Sequence, residues 1–395
     1  MTRVRLSKAL ERAIGSGHPW IYRDALAGRL PAPGEIVTVL DRKGRFLARG
    51  LAERGPIGVR VFTTVDRPLD RSLIDARIDA ALTLRRQLAP PETDAVRLIH
   101  GEGDRLPGVV VDRYAEFAVL KLDGDAILAW RDAIEASLRE RLPALGVRSL
   151  LRRSGRGEHK QVERVFGELP EAPVEIREHG MRLLVDLLHG QKTGMFLDHR
   201  PNRLRTRELI GNLVASGAAP EVANLYGYTG GFSLAAGLGG AASVVTVDVA
   251  APALALADAA WQRNNLEPSR HQLAAVEVEA WLADQRGRRF DLVVADPPSF
   301  ASKQASRDRA LAAYRALHAA ALPIVVDGGY YLAASCSSRV DRAAFEDTLL
   351  RAARSVGVEL QVLERGGAGS DHPVPLGFAE GEYLDVVLAR VLRGG

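Results

Sequence analysis

The sequence predicts an α/β chain in three parts: a small β-barrel, a central α+β domain, and a doubly wound, mostly parallel sheet. Three observations carry this reading. Up to residue 66, short β-branched runs are broken by Gly-containing turns; residues 67–172 mix strands with helices; from residue 173 onward, apolar strand-like runs alternate with helical stretches. The expected boundaries are therefore 1–66, 67–172 and 173–395, the last part opening with a hairpin at 173–190. A length of 395 residues suits several cores better than one.

In the first part, Glu35–Leu40, Arg45–Gly50 and Val59–Phe62 alternate around the turn Asp41-Arg42-Lys43-Gly44, the pattern of a small antiparallel barrel. Trp20 and Tyr22 after Gly17-His18-Pro19 read as barrel caps, with stacking on a base as the other use of an aromatic. Leu73, Ile74, Ile78, Ala81 and Leu82 recur at helical spacing, so residues 70–90 read as an amphipathic helix ending before Pro90-Pro91. Strands at Ala95–Ile99, Gly108–Tyr114 and Phe117–Leu122 and a helix from Ala126 to Leu142 complete the central part. Arg148, Arg152, Arg153, Arg156, Lys160 and Arg164 surround Ser154–Gly157, a basic segment that offers phosphate contacts or a solvated loop. In the last part, strands at Glu221–Tyr226, Ser243–Asp248, Phe290–Asp296 and Gly329–Ala334 alternate with helices at Phe232–Leu238, Ala251–Asn264, Arg307–Val326 and Asp341–Val356. The hairpin before them turns at His179-Gly180.

Bulk composition narrows the function classes. Hydrophobic content of 47% and charged content of 26% are globular values. There is no run of about 18 apolar residues, and the amino terminus lacks an apolar signal core, so no membrane and a cytoplasmic location are expected. One cysteine permits neither an internal disulfide nor a cysteine-rich zinc site, and no metal is expected. Residues 1–66 carry twelve Lys/Arg against six Asp/Glu, although the whole chain has a net charge of only +4. A basic front on a near-neutral body is the footprint of a polyanion-binding module. Arg42, Lys43, Arg45, Arg152, Arg153, Arg156 and Lys303 are the candidate contacts to such a polyanion.

The candidate chemistry gathers at strand ends, where open α/β sheets bind ligands. Gly227-Tyr228-Thr229-Gly230-Gly231 follows the first strand, and its spacing is not the three-glycine dinucleotide fingerprint, which disfavours NAD. Asn224, Tyr226, Gly227, Tyr228, Thr229 and Gly230 form the expected cofactor turn. Asp248 ends the second strand, where a carboxylate accepts from ribose hydroxyls, and Glu277 lies near the end of a third. Asp296-Pro297-Pro298-Ser299-Phe300 leaves the fourth strand extended and short of donors, a setting for a base with an exocyclic amino group. Cys336 stands where the next strand runs into a helix start. A lone Cys is as a rule a small buried hydrophobe; its place beside the Asp296 strand points instead to a nucleophile.

Together these features resemble the class I methyltransferases that use S-adenosyl-L-methionine. The closer resemblance is to bacterial large-subunit (23S) ribosomal RNA cytosine-5 methyltransferases with an amino-terminal PUA-like domain. Residues carrying it run from Gly17-His18-Pro19-Trp20 through Gly101-Glu102-Gly103-Asp104, Gln191-Lys192-Thr193-Gly194, Phe196-Leu197-Asp198, Tyr228–Ser233, Asp296–Phe300 and Ser335-Cys336-Ser337 to Asp371-His372-Pro373. The chain departs from the family pattern at Glu277 (usually Asp), His199 (usually Gln), Ala379 (usually Pro) and Asp385 (usually Lys). The resemblance implies a PUA-like barrel, a Rossmann-like methyltransferase domain, and ribosomal RNA, naked or in an assembly intermediate, as partner; it leaves a homodimer open. By resemblance Gln191, Lys192, Thr193, Phe196 and Asp198 fold over the cofactor side.

Carbon 5 of a pyrimidine is a poor nucleophile, so the implied chemistry needs a thiolate adding at carbon 6. A free thiol, with a pKa of about 8.5, requires help. Ser338–Asp341 has the form of a capping box, and the helix end it would open, together with Arg339, is expected to favour the thiolate. Asp296 is assigned to the amino edge of the base, and proton removal to Glu380, Asp296 or water. His372 reads as a loop-ordering residue. Two alternatives stand beside this reading: methylation of an adenine or guanine amino group in RNA, and a non-catalytic RNA-binding ribosome-assembly factor.

Overall fold

A computed structural model describes residues 2–155, 161–285, 287–300, 307–337 and 339–394. The chain forms two compact units. The first holds residues 1–174, 187–194 and 370–381; the second holds 175–186, 195–369 and 382–395.

In the first unit a six-stranded, nearly barrel-shaped sheet closes over Val4, Leu6, Ile14, Ile21, Val37, Val39 and Val59. Most of its pairs are antiparallel, while Thr2–Leu6 runs parallel to Ile36–Leu40. Trp20 does cap this structure: its indole donates to Glu102 at 2.8 Å and its ring meets Phe378 edge-on at 4.6 Å. Tyr22 stays exposed. Helix Arg71–Gln87 starts at Asp70, whose carboxylate accepts from the Leu73 N–H. Its apolar stripe packs with the five-stranded sheet in a second core that includes Leu98, Val109, Val111 and Leu120. The helix expected from Ala126 to Leu142 is broken into Asp125–Leu128 and Arg131–Arg141. The Trp130 indole at the break donates to the Gly34 carbonyl, a tertiary bond that local periodicity does not reveal.

The second unit contains the hairpin Val174–Glu178/Met181–Val185 from its second residue on, with His179 and Gly180 both at positive φ in its turn. Its seven-stranded sheet runs in the order His271–Ala274, Ser243–Val247, Glu221–Leu225, Phe290–Ala295, Val325–Ser335, Asp385–Arg393, Val358–Gly366. The first five strands are parallel, Asp385–Arg393 runs antiparallel to them, and Val358–Gly366, antiparallel to Asp385–Arg393, runs in the direction of the first five. Phe290–Ala295 is buried at all but Asp291, the near-continuous apolar run of a strand covered on both faces. Strand order reverses between Glu221–Leu225 and Phe290–Ala295, and the crevice at that reversal is where such sheets bind ligands. The helix expected to reach Val326 stops at Ala321 instead, because Pro323 lacks the donor needed to continue it and Val325 already begins the next strand. Among the described residues, no helix is long and apolar enough to cross a membrane.

Candidate active site

The turn after Glu221–Leu225 is held in an unusual backbone. Tyr226 and Tyr228 have φ of 57° and 48°, and Gly230 has φ of 71° where it caps helix Gly231–Leu238. Left-handed conformations at large non-glycine residues are costly and persist where a site over-determines them. A Cβ at Gly227 would lie 2.4 Å from Thr246 Cγ2, and one at Gly230 would lie 2.6 Å from Ala257 Cβ, so both positions need glycine for packing. Asp248 organises the turn: Oδ2 accepts from the Tyr228 N–H at 2.9 Å and Oδ1 from the Ala250 N–H at 2.8 Å. Each oxygen keeps a further lone pair for a ligand hydroxyl. Asn224 is buried beneath the turn, its amide donating to Ser233 Oγ, which meets Thr246 Oγ1 at 2.6 Å. Thr229 is buried as well, and Glu277 is exposed at the start of helix Val278–Asp284. The Tyr226 phenol donates to Glu279 at 2.8 Å; burial and that carboxylate push its pKa up.

The next two strands bring Asp296 and Cys336 together. Phe290–Ala295 and Val325–Ser335 pair in register through Ala295 and Ala333, so both chains leave the sheet at one edge. Cys336 is half-buried, with Sγ 3.9 Å from the Pro297 carbonyl. Beneath them lies Tyr314, which accepts from Ser335 Oγ at 3.0 Å and meets Phe300 edge-on. Burial pushes the Tyr314 phenol up, and the neighbouring Cys336, Asp296 and Asp385 push it the same way. Asp385 sits across from Ser335 and accepts from Arg342 at 2.8 Å. Burial raises its carboxyl above the usual range in spite of that bond. A departure in charge at residue 385 is thus absorbed by an ion pair within the fold.

The expected capping box is corrected. The helix is Arg342–Ser355, and its cap is Asp341, whose carboxylate accepts from the Ala344 N–H at 2.9 Å. Cys336 lies ahead of this cap in irregular chain, and the Asp341 charge offsets the positive helix end. Ser338 lies outside the described residues.

The segment Met195–His199 is pinned from below by Arg203. Its guanidinium makes two bonds to the fully buried Glu178, at 2.7 and 2.6 Å, and donates to the Phe196 carbonyl at 3.0 Å. Phe196 meets Tyr228 edge-on with ring centres 5.6 Å apart, which sets it against the turn. Asp198 accepts from the Tyr383 hydroxyl at 2.7 Å. Next to it, His199 Nε2 stands 3.2 Å from Asp296 Oδ2.

Other expected site residues fall in the first unit. Thr193 is buried there, donating to Asp112 at 2.6 Å and meeting the Tyr114 hydroxyl at 2.9 Å; Gln191 and Lys192 are exposed. Glu380 lies 3.4 Å from His18 Nε2. His372 pairs with Asp371, whose other oxygen accepts from the Arg97 N–H, an arrangement that orders a loop. Among the candidate RNA contacts, Arg42 pairs with Glu11 and Arg45 with Asp41 while both remain open to solvent, and Lys43 is exposed. Arg152 is held by Glu135 and Glu163. Arg153 is corrected: it is 4% exposed, and its guanidinium donates to the Gly190 and Lys192 carbonyls, so it holds chain rather than phosphate. Arg156 and Lys303 lie outside the described residues. Sequence reasoning did not assign Tyr314, Asn202 or the Glu178–Arg203 pair, whose partners are distant in the chain. For His199, the departure from the family's usual Gln was the one available signal.

Residues 143–374 match a family profile described as S-adenosylmethionine-dependent methyltransferase, and residues 4–64 match one described as a PUA-like domain. A Deinococcus radiodurans protein named ribosomal RNA large subunit methyltransferase is 36% identical over 408 residues, covering 98% of this chain and 97% of its own. Shigella boydii and Escherichia coli proteins named ribosomal RNA large subunit methyltransferase I are 33% identical, with 99% of each chain covered. A solved methyltransferase complexed with SAH superposes with a TM-score of 0.87 at 23% identity, covering 99% of this chain and 100% of that one. A SAM-dependent methyltransferase from Streptococcus mutans gives 0.85 at 22% identity, with the same coverage. These two likenesses show the fold.

Proposed function

Because the chain belongs to the S-adenosylmethionine-dependent methyltransferase family, we propose that it methylates carbon 5 of a cytosine in large-subunit ribosomal RNA through a covalent adduct on Cys336. The names of the full-length relatives support the RNA class. The observation that carries the cytosine reading is the chain's one cysteine, half-buried and 3.9 Å from Pro297 O at the sheet edge that also ends in Asp296.

S-adenosylmethionine is the methyl donor, and when bound it supplies an electrophilic methyl group on a sulfonium. The strained turn at Tyr226–Gly230, with its packing-enforced glycines, and the Asp248 carboxylate fit such a donor. We assign the ribose hydroxyls to Asp248, the adenine side to Glu277, and the wall of the pocket to Phe196 and Tyr228. Asp248→Ala is expected to weaken donor binding about 10- to 100-fold, since charged hydrogen bonds contribute roughly 1.5–3 kcal/mol; calorimetry with S-adenosylmethionine measures it.

Asp296 holds the amino edge of the cytosine. The Cys336 thiolate adds to carbon 6, forming the Sγ–C6 bond and moving an electron pair toward carbon 5, which would take the methyl group as its bond to the donor sulfur breaks and S-adenosylhomocysteine leaves. The proton on carbon 5 then passes to Asp296 or to water. The Sγ–C6 bond breaks and returns the thiolate.

RNA carrying 5-fluorocytosine tests this directly. Fluorine cannot leave carbon 5 as a proton does, so the wild-type protein with its donor should form a denaturation-stable protein–RNA adduct at Cys336. Full methylation of ordinary RNA with no adduct on the fluorinated RNA would sink the carbon-5 reading in favour of an amino-group target.

A further inference from the structure

The Asp296 carboxylate has a partner on a distant segment. His199 is 1% exposed, and its two ring nitrogens face chemically different neighbours. Nδ1 lies 3.2 Å from Asn202 Nδ2, and that amide nitrogen also donates to the Gly367 carbonyl at 3.1 Å. A carbonyl only accepts, so it fixes which end of the Asn202 amide carries nitrogen; an amide NH₂ only donates, so Nδ1 of His199 must accept. The proton of the neutral ring therefore resides on Nε2. Nε2 stands 3.2 Å from Asp296 Oδ2, at ion-pair distance with the N–H direction off the line to the oxygen. Among the described residues it makes no hydrogen bond in this geometry, and Asp296 is an ionic group within reach of it. The ring itself is held edge-on by Phe232, with centres 5.4 Å apart.

We infer that His199 is a positioning residue for methyl transfer: its Nε2–H holds Asp296 by Oδ2 and leaves Oδ1 for the target base. This inference rests on the role proposed for Asp296. A half-buried carboxylate without a fixed donor samples several rotamers, and misplacement of a base-binding group lowers the reactive fraction of bound substrate. Asn202 and Gly367 act one step further out by fixing the tautomer.

The test compares wild type, His199→Gln and His199→Leu in single-turnover methyl transfer, with donor affinity by calorimetry and thermal melting alongside. The leucine fills the site without a donor, so its rate should fall about 10- to 100-fold while donor affinity is kept. A glutamine amide donates at similar reach and should stay within about threefold of wild type. Nitrogen-15 NMR of the wild-type imidazoles, with His199 assigned from the Gln variant, should show the Nε2–H tautomer. A leucine variant at wild-type rate, a glutamine variant as slow as leucine, or an Nδ1–H tautomer would each overturn the inference. If the leucine variant fails to fold, the glutamine rate and the tautomer still decide. Should wild type methylate an exocyclic amino group with the same dependence on residue 199, the carbon-5 reading falls and this inference stands.

Discussion

Cys336→Ala should lower methyl transfer to RNA by on the order of 10³-fold or more, the scale on which removal of a covalent nucleophile acts. Donor affinity should be unchanged, because the sulfur lies at the end of Val325–Ser335 and not in the turn at Tyr226–Gly230 that we assign to the donor. Stability should change little as well: the side chain is half-buried, and exchange for Ala removes one atom. Single-turnover transfer, calorimetry with S-adenosylmethionine and a melting curve separate the three quantities. Transfer at the wild-type rate by a folded, donor-binding variant would remove the nucleophile from the mechanism. The thiol gains no direct help from the helix end that follows, since Asp341 caps that helix and offsets its positive end.

Glu178→Gln is expected to be the most destabilising of the single substitutions considered. Glu178 is fully buried and makes two bonds to Arg203, so the change strands a buried guanidinium and should cost about 3–5 kcal/mol. The same guanidinium holds the Phe196 carbonyl, and its Cδ lies 2.8 Å from where a Cβ on Gly231 would stand. Loss of stability should therefore come with weaker donor binding. Replacing both partners with methionine removes the stranded charge and should restore most of the melting temperature, as apolar replacement of buried ion pairs often does. It should not restore donor affinity, because the Phe196 carbonyl would still lack its donor. Denaturant titration of the single and double variants, each paired with calorimetry, checks both halves. Equal recovery of stability and donor binding in the double variant would mean that Arg203 does not order the Met195–His199 segment.

Much of this protein was legible in its linear order. The barrel, the alternation of strand and helix after residue 173, the hairpin turning at His179-Gly180 and the arrival of Asp296 and Cys336 at one sheet edge follow from local periodicity and from the topology of parallel sheets. Each depends on residues near in sequence, or on the rule that adjacent parallel strands end at one edge. Helix limits were less legible where tertiary contacts intervene, as at Trp130, or where the carboxylate next to the first helical turn takes the cap, as Asp341 does.

Charge was the least legible property. A count of arginines placed Arg153 among the RNA contacts, and the fold buries it against carbonyls 35 and more residues away. By itself, then, the sequence determined the fold class, the strand-end position of the glycine turn and the placing of Asp296 and Cys336 at the ends of neighbouring strands, because those follow from short-range pattern. Only the tertiary structure decided which charges are committed to the interior and which groups face each ring nitrogen of His199. Those outcomes are set by partners brought close in space from far apart in the chain, where desolvation makes each buried hydrogen bond obligatory.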